Sequence, residues 1–168
     1  MVLELSGDQV LEVLAEVKDP EIPTLSIVDL GMVEGIEVSE EQEALTVTLI
    51  PTFLGCPALD LIRVRARSAL TQAFGLAEGQ CRVEFSLKRA WTSQRLTDKG
   101  RARLGDFGMA PPPRGASVAD FVEGSATVVC PLCHSPQTDL QNLFGSAACR
   151  ALYYCKSCRN PFEVMKPI

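Results

Sequence analysis

The stretch CPLCHSPQTDLQNLFGSAACRALYYCKSC, residues 130–158, decides the fold of the C-terminal part of the chain. Each end of this stretch holds two cysteines separated by two residues, and 21 residues separate the pairs. The four cysteines are Cys130, Cys133, Cys155 and Cys158. Two intervening residues let both sulfurs of a pair face one metal ion, and two such pairs complete a tetrahedron. The pattern predicts a small β module, a zinc ribbon, that holds a structural zinc ion.

Three alternatives account for parts of this pattern. Disulfides or unpaired thiols would use the same cysteines, and four thiolates also suit iron in a rubredoxin-like site. Residues 130–134 match the haem-attachment motif C-x-x-C-H, but haem leaves the second cysteine pair unexplained. His134 is the only histidine of the chain, and we predict that it is a surface residue. Cys149 is left over, as a buried thiol or a substitute ligand.

The overall composition is that of a soluble globular protein. The chain has 168 residues, of which 46% are hydrophobic and 22% charged. No apolar run reaches the roughly 18 residues of a membrane span, and the N-terminus lacks the basic and apolar segments of a signal peptide. We therefore predict a cytoplasmic protein with no membrane partner. In that compartment cysteines serve as metal ligands or reactive thiols more often than as disulfides.

Charge is unevenly distributed along the chain. Residues 1–43 hold 12 acidic residues and one basic residue, whereas residues 44–114 hold 5 acidic and 11 basic residues. The middle region therefore presents either a solvated surface or a docking face for an acidic partner. Residues 115–168 hold four of each, so no phosphate-binding face is apparent and we predict no nucleic-acid partner.

The sequence pattern of the N-terminal part predicts a small α+β domain with the element order αββαβ. Ser6 is a helix cap, Gln9 follows three residues later, and an apolar stripe continues to Val17. The later elements follow from alternating or helical apolar patterns. They are strands at 32–38, 44–50 and 81–87, a long helix at 57–74 and a short helix at 97–104. Strand, helix and strand at 44–87 form a βαβ unit, whose two strands should be parallel.

A proline-rich segment separates this domain from the cysteine module. Residues 111–113 are all proline and Gly115 follows, which is typical of a linker. We therefore predict a first domain at 1–110, a linker at 111–116 and a four-cysteine ribbon at 117–168. The ribbon is too small for a self-sufficient apolar core, so strand-like segments at 126–129, 151–154 and 161–165 would depend on the metal.

Cys56 is the second cysteine feature that has a chemical interpretation. It precedes Pro57, which suits the first position of the long helix, so Cys56 would occupy the N-cap. The positive end of the helix dipole would lower its pKa there and favour a thiolate for nucleophilic or metal chemistry. A small buried cysteine in a tight turn is the alternative. No Cys-His or Ser-His arrangement and no nucleotide-binding motif is evident, which argues against an independent enzyme.

Three motifs in the first domain resemble a known family. They are Asp19-Pro20-Glu21-Ile22-Pro23, Ile27-Val28-Asp29-Leu30-Gly31-Met32-Val33 and Thr52-Phe53-Leu54-Gly55-Cys56-Pro57. These resemble the SufT-like family of iron–sulfur assembly accessory proteins. Together with Trp91-Thr92-Ser93, Gly108-Met109-Ala110-Pro111-Pro112 and the four-cysteine ribbon, they resemble its PaaD (or PaaJ) branch in the phenylacetyl-CoA oxygenase, or epoxidase, system.

The resemblance implies a non-catalytic maturation factor in aerobic phenylacetate degradation. Such a factor would help to insert iron or an iron–sulfur cluster into other subunits, the reductase or the di-iron oxygenase. By the resemblance, Cys56 would handle the iron or a transient cluster, Asp29 would be its neighbour or a ligand, and the ribbon cysteines would bind zinc. One thiolate cannot hold a cluster stably, so we hypothesise a homodimer in which two meet. The rival interpretation is a structural or electron-transfer subunit with iron in the ribbon.

Overall fold

The structure is a computed structural model that describes residues 5–39 and 43–168. The chain divides into two compact units, the first ending at Trp91 and the second spanning Thr92–Ile168. Among the described residues, no helix is both long enough and apolar enough to cross a membrane. Each unit has its own sheet.

The first unit has the predicted order of elements. Helix α1 spans Gly7–Leu14, and Ser6 and Gln9 cap it reciprocally in a capping box. The remaining elements of this unit are strand β1 at Val33–Ser39, strand β2 at Ala44–Leu49, helix α2 at Leu59–Phe74 and strand β3 at Cys81–Phe85. Gly75 ends α2 with a φ of 64°, a left-handed conformation that glycine adopts without steric cost.

The sheet of the first unit confirms the predicted βαβ unit. Its strand order is β1-β2-β3, with β1 antiparallel to β2 and β2 parallel to β3. Leu45, Val47 and Leu49 alternate along β2 and are fully buried, as the sequence pattern predicts for a half-buried strand. The apolar face of α2 is buried as well, at Ile62, Ala66 and Leu70.

Three predictions about element ends in this unit are wrong. Helix α1 ends three residues before Val17, because Lys18 pairs with Ser26 in an isolated antiparallel bridge and Asp19 caps the following turn. Strand β3 ends at Phe85, not at residue 87, and Leu87 is 70% exposed. Helix α2 begins at Leu59, not at residue 57.

The second unit contains a four-stranded sheet of order β4-β7-β6-β5. Its strands are β4 at Met109–Ala110, β5 at Thr138–Asn142, β6 at Arg150–Cys155 and β7 at Pro161–Met165. Helices α3 at Asp98–Asp106 and α4 at Val118–Val122, with a 3-10 turn at Ser93–Arg95, complete it. The prediction of β6 and β7 is confirmed, but the segment predicted as a strand at 126–129 is not one. Its Val128 is nevertheless buried, and its carbonyl accepts a hydrogen bond from Thr138 Oγ1 at 2.6 Å.

Residues 92–116 fold with the ribbon sheet. Strand β4 lies parallel to β7, and Ser93 N–H donates to the carbonyl of Ile168 at 3.1 Å. The guanidinium of Arg101 donates to the carbonyls of Pro112 and Ser93 at 2.7 and 3.1 Å. The predicted domain boundaries at 110 and 116 stay predictions; the contacts of the chain itself divide it after Trp91.

Candidate metal centre

The structure brings the four predicted cysteines of the ribbon together. All four Sγ atoms lie within 4.8 Å of one another. Cys130 Sγ is 3.8 Å from Cys158 Sγ, and Cys133 Sγ is 3.5 Å from Cys155 Sγ. A tetrahedral zinc site with Zn–S bonds of about 2.3 Å has S···S edges of about 3.8 Å. The donor set and its spacing therefore fit one tetrahedral metal ion.

Two matching turns hold the sulfurs in this arrangement. His134 N–H donates to the carbonyl of Cys130, and Arg159 N–H donates to the carbonyl of Cys155, both at 2.9 Å. His134 and Arg159 each have a φ of 59°, which turns the chain sharply after the second cysteine of each pair. His134 is exposed, as predicted.

The turns are also joined to each other. Ser135 Oγ lies 2.7 Å from Ser157 Oγ, and Lys156 N–H donates to the carbonyl of Gln137 at 2.9 Å. Ser157 Oγ donates to Gln137 Oε1 at 3.2 Å. These contacts fix the separation of the two cysteine pairs, and sequence analysis missed them because no spacing rule marks Gln137 or the serines.

Backbone N–H groups and neighbouring thiols set the protonation of the cluster. The N–H groups of Cys158 and Ser157 donate to the Cys155 sulfur and lower its pKa to about 7. An N–H from Ser135 favours the Cys133 thiolate, but burial and the three other sulfurs outweigh it and raise the Cys133 pKa to about 12. Cys155 and Cys133 therefore ionise at different pH values, and a bound dication would favour the thiolate form of both.

The metal ligands are part of the ribbon core. Cys130 and Cys155 are fully buried and pack in one apolar cluster with Phe121, Tyr153 and Phe162. The aromatic rings stack at an angle, with centroids 5.6 Å apart for Phe121–Tyr153 and 6.0 Å for Tyr153–Phe162. The metal site and this core therefore share two cysteines, and metal binding would stabilise both. Cys149, considered above as a substitute ligand, is not one of the four clustered cysteines.

Cys56 lies in a tight turn before α2, not at its N-cap. Ala58 occupies the N-cap, without a side-chain cap, so the N-cap prediction is wrong. Cys56 N–H donates to the carbonyl of Phe53 at 3.2 Å, which closes a turn with Leu54 and Gly55 at its corner. Leu54 is 73% exposed, and Cys56 itself is half-buried.

The prediction of a lowered pKa for Cys56 is also wrong. Burial makes the largest contribution and raises the pKa of this thiol. The N–H of Ala58 lowers it by a smaller amount, and the carboxylates of Glu21 and Asp19 make still smaller contributions that raise it. The segment Asp19–Ile22 therefore lies close enough to Cys56 to act on it electrostatically. Asp19 Oδ1 accepts from the N–H groups of Glu21 and Ile22 at 2.8 and 3.0 Å. The two sequence motifs that contain Glu21 and Cys56 are thus coupled electrostatically.

Asp29 is buried in the loop between α1 and β1. Its Oδ2 accepts from Ser26 N–H at 3.3 Å, and its own N–H donates to Ser26 Oγ at 3.0 Å. Trp91 Nε1 donates to the carbonyl of Leu30 at 2.7 Å and is itself 2% exposed. The loop that contains Asp29 is therefore held in one conformation by both local and long-range bonds.

Fold and site together define a class of protein: an iron–sulfur assembly-type α+β domain joined to a four-cysteine, zinc-ribbon-like module. Residues 7–83 match the family model described as iron–sulfur cluster assembly protein, and residues 115–166 match the model described as PaaD zinc beta ribbon domain. The chain is 39% identical over 160 residues to an Escherichia coli protein that is named as a subunit of a "Putative 1,2-phenylacetyl-CoA epoxidase", covering 95% of this chain and 92% of that protein. The chain belongs to the PaaD family.

Two solved structures share the fold of part of the chain. A domain of unknown function from Bacillus anthracis superposes with a TM-score of 0.53 at 23% identity, over 58% of this chain and 90% of its own. A conserved hypothetical protein from Thermotoga maritima superposes with a TM-score of 0.51 at 28% identity, over 62% of this chain and 99% of its own.

Proposed function

We propose that this protein is a non-catalytic maturation factor of a phenylacetyl-CoA epoxidase system in aerobic phenylacetate degradation. In this role it helps to insert iron or an iron–sulfur cluster into another subunit, the reductase or the di-iron oxygenase. One observation carries the proposal: an iron–sulfur assembly domain is joined to the ribbon of an epoxidase subunit family in a single chain. The metal or cluster at Cys56 is cargo in this role.

The surroundings of Cys56 support temporary ligation. The turn at Phe53–Cys56 presents an exposed Leu54 beside a half-buried thiol, so a partner surface can reach the sulfur. Burial and the nearby carboxylates favour the protonated thiol, which a metal must displace. A ligand that regains its proton readily releases its cargo, and this suits delivery better than storage.

Asp29 has a positioning or ligand role at this site in the proposal. It is buried, and its loop is fixed by Ser26 and by the bond between Trp91 and Leu30. One cysteine and a carboxylate provide fewer than the four ligands that clusters usually take. The remaining ligands would come from the receiving subunit or from a second copy of this chain.

The ribbon holds a structural zinc ion in this proposal. Four sulfurs with closed tetrahedral spacing leave no position for a substrate. Two of its ligands lie in the core of the module, so the metal supplies folding free energy. The zinc polarises no reactant here; it fixes the ribbon.

Metal analysis of three proteins purified without oxygen tests both assignments. The wild type is compared with Cys56→Ser and with Cys81→Ala, a matched control that removes another cysteine of the same unit. We expect one zinc per chain in all three proteins and iron in the wild type and the control only. Equal iron in all three proteins, or iron in none, would contradict an iron-handling role for Cys56.

The rival function, electron transfer, requires iron in the ribbon, whereas the maturation role requires zinc there. Four thiolates bind ferric iron with an intense red colour, whereas zinc thiolates are colourless. A red protein that keeps its colour in Cys56→Ser and loses it in Cys130→Ser would place iron in the ribbon. That outcome would replace the maturation role with a redox subunit.

A further inference from the structure

The two edges of the first sheet are built differently. At one edge, β1 has an irregular register between Val33 and Gly35, and Glu34 and Glu37 lie along it. Strand β3 also carries charged residues, Arg82 and Glu84, so the register irregularity is what distinguishes the β1 edge. A bulge there hinders pairing of the strand with another chain. At the other edge, β3 pairs with β2 in unbroken register from Cys81 to Phe85. The β3 edge is therefore the one that can accept a further strand.

The backbone of β3 offers hydrogen-bonding groups at this edge. Leu45 N–H donates to the carbonyl of Gln80 at 2.7 Å, and Ser86 N–H donates to the carbonyl of Leu49 at 2.8 Å. In a parallel ladder, alternate residues bond to the same neighbour, so the even-numbered residues of β3 bond to β2. The N–H and C=O groups of Cys81, Val83 and Phe85 consequently point to the open edge.

A groove runs beside this edge, between β3 and helix α2. It has a volume of about 850 Å³ and its walls include Arg63, Arg67, Cys81 and Arg82. Arg63 pairs with Asp60 on its own helix. Within residues 5–39 and 43–168, the guanidinium groups of Arg67 and Arg82 have neither a hydrogen bond nor an ion pair. Glu78 is the one acidic residue of the groove, so the surface is net positive.

We propose that the β3 edge binds an extended acidic segment of a partner protein, which adds a fourth strand to the sheet. The backbone of that segment would pair with Cys81, Val83 and Phe85, and its carboxylates would meet Arg67 and Arg82. Strand addition of this kind takes affinity from main-chain bonds and specificity from side chains beside the edge. The backbone groups of β3 would pair with any extended strand. The neighbouring guanidinium groups of Arg67 and Arg82 would favour an acidic strand over an apolar or basic one.

Binding of a designed peptide tests the proposal on the full-length, metal-loaded protein. The probe is an eight-residue peptide of alternating glutamate and valine, and a lysine–valine peptide is the charge control. Two further acidic peptides are N-methylated, one at every glutamate and one at every valine. Because only alternate residues of an added strand bond to the edge, one methylated peptide should bind like the parent. The other should bind at least about tenfold more weakly.

Arginine variants and amide signals locate the site. We expect Arg67→Glu and Arg82→Glu each to weaken the acidic peptide by roughly fivefold or more. Arg65→Glu, a matched change on α2 outside the groove, should alter affinity by less than about twofold. The amides of Cys81, Val83 and Phe85 should shift in NMR spectra and gain protection from hydrogen exchange.

Three outcomes would overturn the proposal. Equal binding of both methylated peptides would indicate charge attraction without strand pairing. If the acidic peptide did not bind at millimolar concentration, the β3 edge would not be a binding site for an acidic strand. If protection of the same amides from hydrogen exchange increased with protein concentration in the absence of peptide, the edge would bind a second copy of this chain. Cys56 and the ribbon cysteines lie outside the groove, so none of these outcomes bears on the metal content that tests the maturation role.

Discussion

His134 and Arg159 occupy equivalent places in the two cysteine turns of the ribbon. Each has a φ of 59°, and each donates its N–H to the carbonyl of the first cysteine of its own pair at 2.9 Å. A positive φ strains a residue with a Cβ atom and is free of strain for glycine. The two turns therefore hold strain that a substitution can relieve or increase.

Relief of this strain should tighten metal binding by the ribbon. We expect Arg159→Gly to stabilise the loaded ribbon by up to about 1 kcal/mol, and Arg159→Val to destabilise it by about 1–2 kcal/mol. The chelator concentration that removes half of the metal measures both effects. A control change at the exposed Lys156 to alanine should move that midpoint little. Equal midpoints for the glycine and valine variants would contradict the strain argument.

Removal of the metal should unfold the second unit and leave the first folded. Cys130 and Cys155 belong both to the four-cysteine cluster and to the core, so a chelator, or Cys130→Ser, should remove both the site and part of the core. We expect NMR signals of β5, β6 and β7 to collapse while those of β2 and α2 persist. Cys81→Ala, outside the ribbon, is the control. A ribbon that keeps its dispersed signals without metal would show that its core is sufficient alone.

The reactivity of Cys56 should depend on Glu21. Because burial and the Glu21 and Asp19 carboxylates raise the pKa of this thiol, we expect slow alkylation by iodoacetamide at pH 8 and a rise above pH 9. Glu21→Gln removes one negative charge, lowers the pKa and should speed alkylation at pH 8. Mass spectrometry of the peptide that contains Cys56 follows the rate separately from the other cysteines.

The control for that experiment is a carboxylate distant from the thiol. Glu12→Gln on the exposed face of α1 should leave the Cys56 rate unchanged, since Glu12 does not contribute to its pKa. A rate that is unchanged in Glu21→Gln as well would show that the Glu21 carboxylate does not raise the pKa of Cys56.

The buried ion pair of the ribbon should contribute more to its stability than an exposed ion pair does. Arg150 Nη1 lies 2.9 Å from Glu163 Oε2, with side chains 9% and 24% exposed. We expect Glu163→Gln to cost about 1–3 kcal/mol of ribbon stability, because it leaves a buried guanidinium without its carboxylate. Asp139→Asn, in the Lys156–Asp139 pair that is 59% and 47% exposed, should cost less than about 1 kcal/mol. Thermal unfolding of the loaded protein compares the two.

The Arg150–Glu163 ion pair should also make the stability of the ribbon depend on pH. Burial would raise the pKa of Glu163, but the N–H and hydroxyl of Ser146 and the Arg150 charge outweigh it and lower the pKa. The stability that this carboxylate contributes to the ribbon is therefore complete at a pH above the ordinary glutamate pKa. It is lost as the pH falls through the lower pKa of the folded state. The stability difference between wild type and Glu163→Gln should shrink over that acidic range.

The sequence alone determined the features that depend on local spacing. Two residues between paired cysteines allow both sulfurs to face one metal, and alternating apolar residues at Leu45, Val47 and Leu49 require one buried face. The order αββαβ and the parallel pairing of β2 and β3 follow from such patterns and from the length of the connecting helix. Ser6 and Gln9 are likewise a local signal, because a capping box needs only residues three apart.

Only the tertiary structure decided the environment of Cys56 and the extent of the second unit. Sequence rules placed Cys56 at the N-cap with a lowered pKa. The helix begins later, and burial, together with smaller contributions from Glu21 and Asp19, raises the pKa of Cys56 instead. Strand β4 is two residues long and exists because β7 provides its hydrogen bonds. Electrostatic effects and strand pairing act through space between residues far apart in the chain, and no pattern within a short window encodes them.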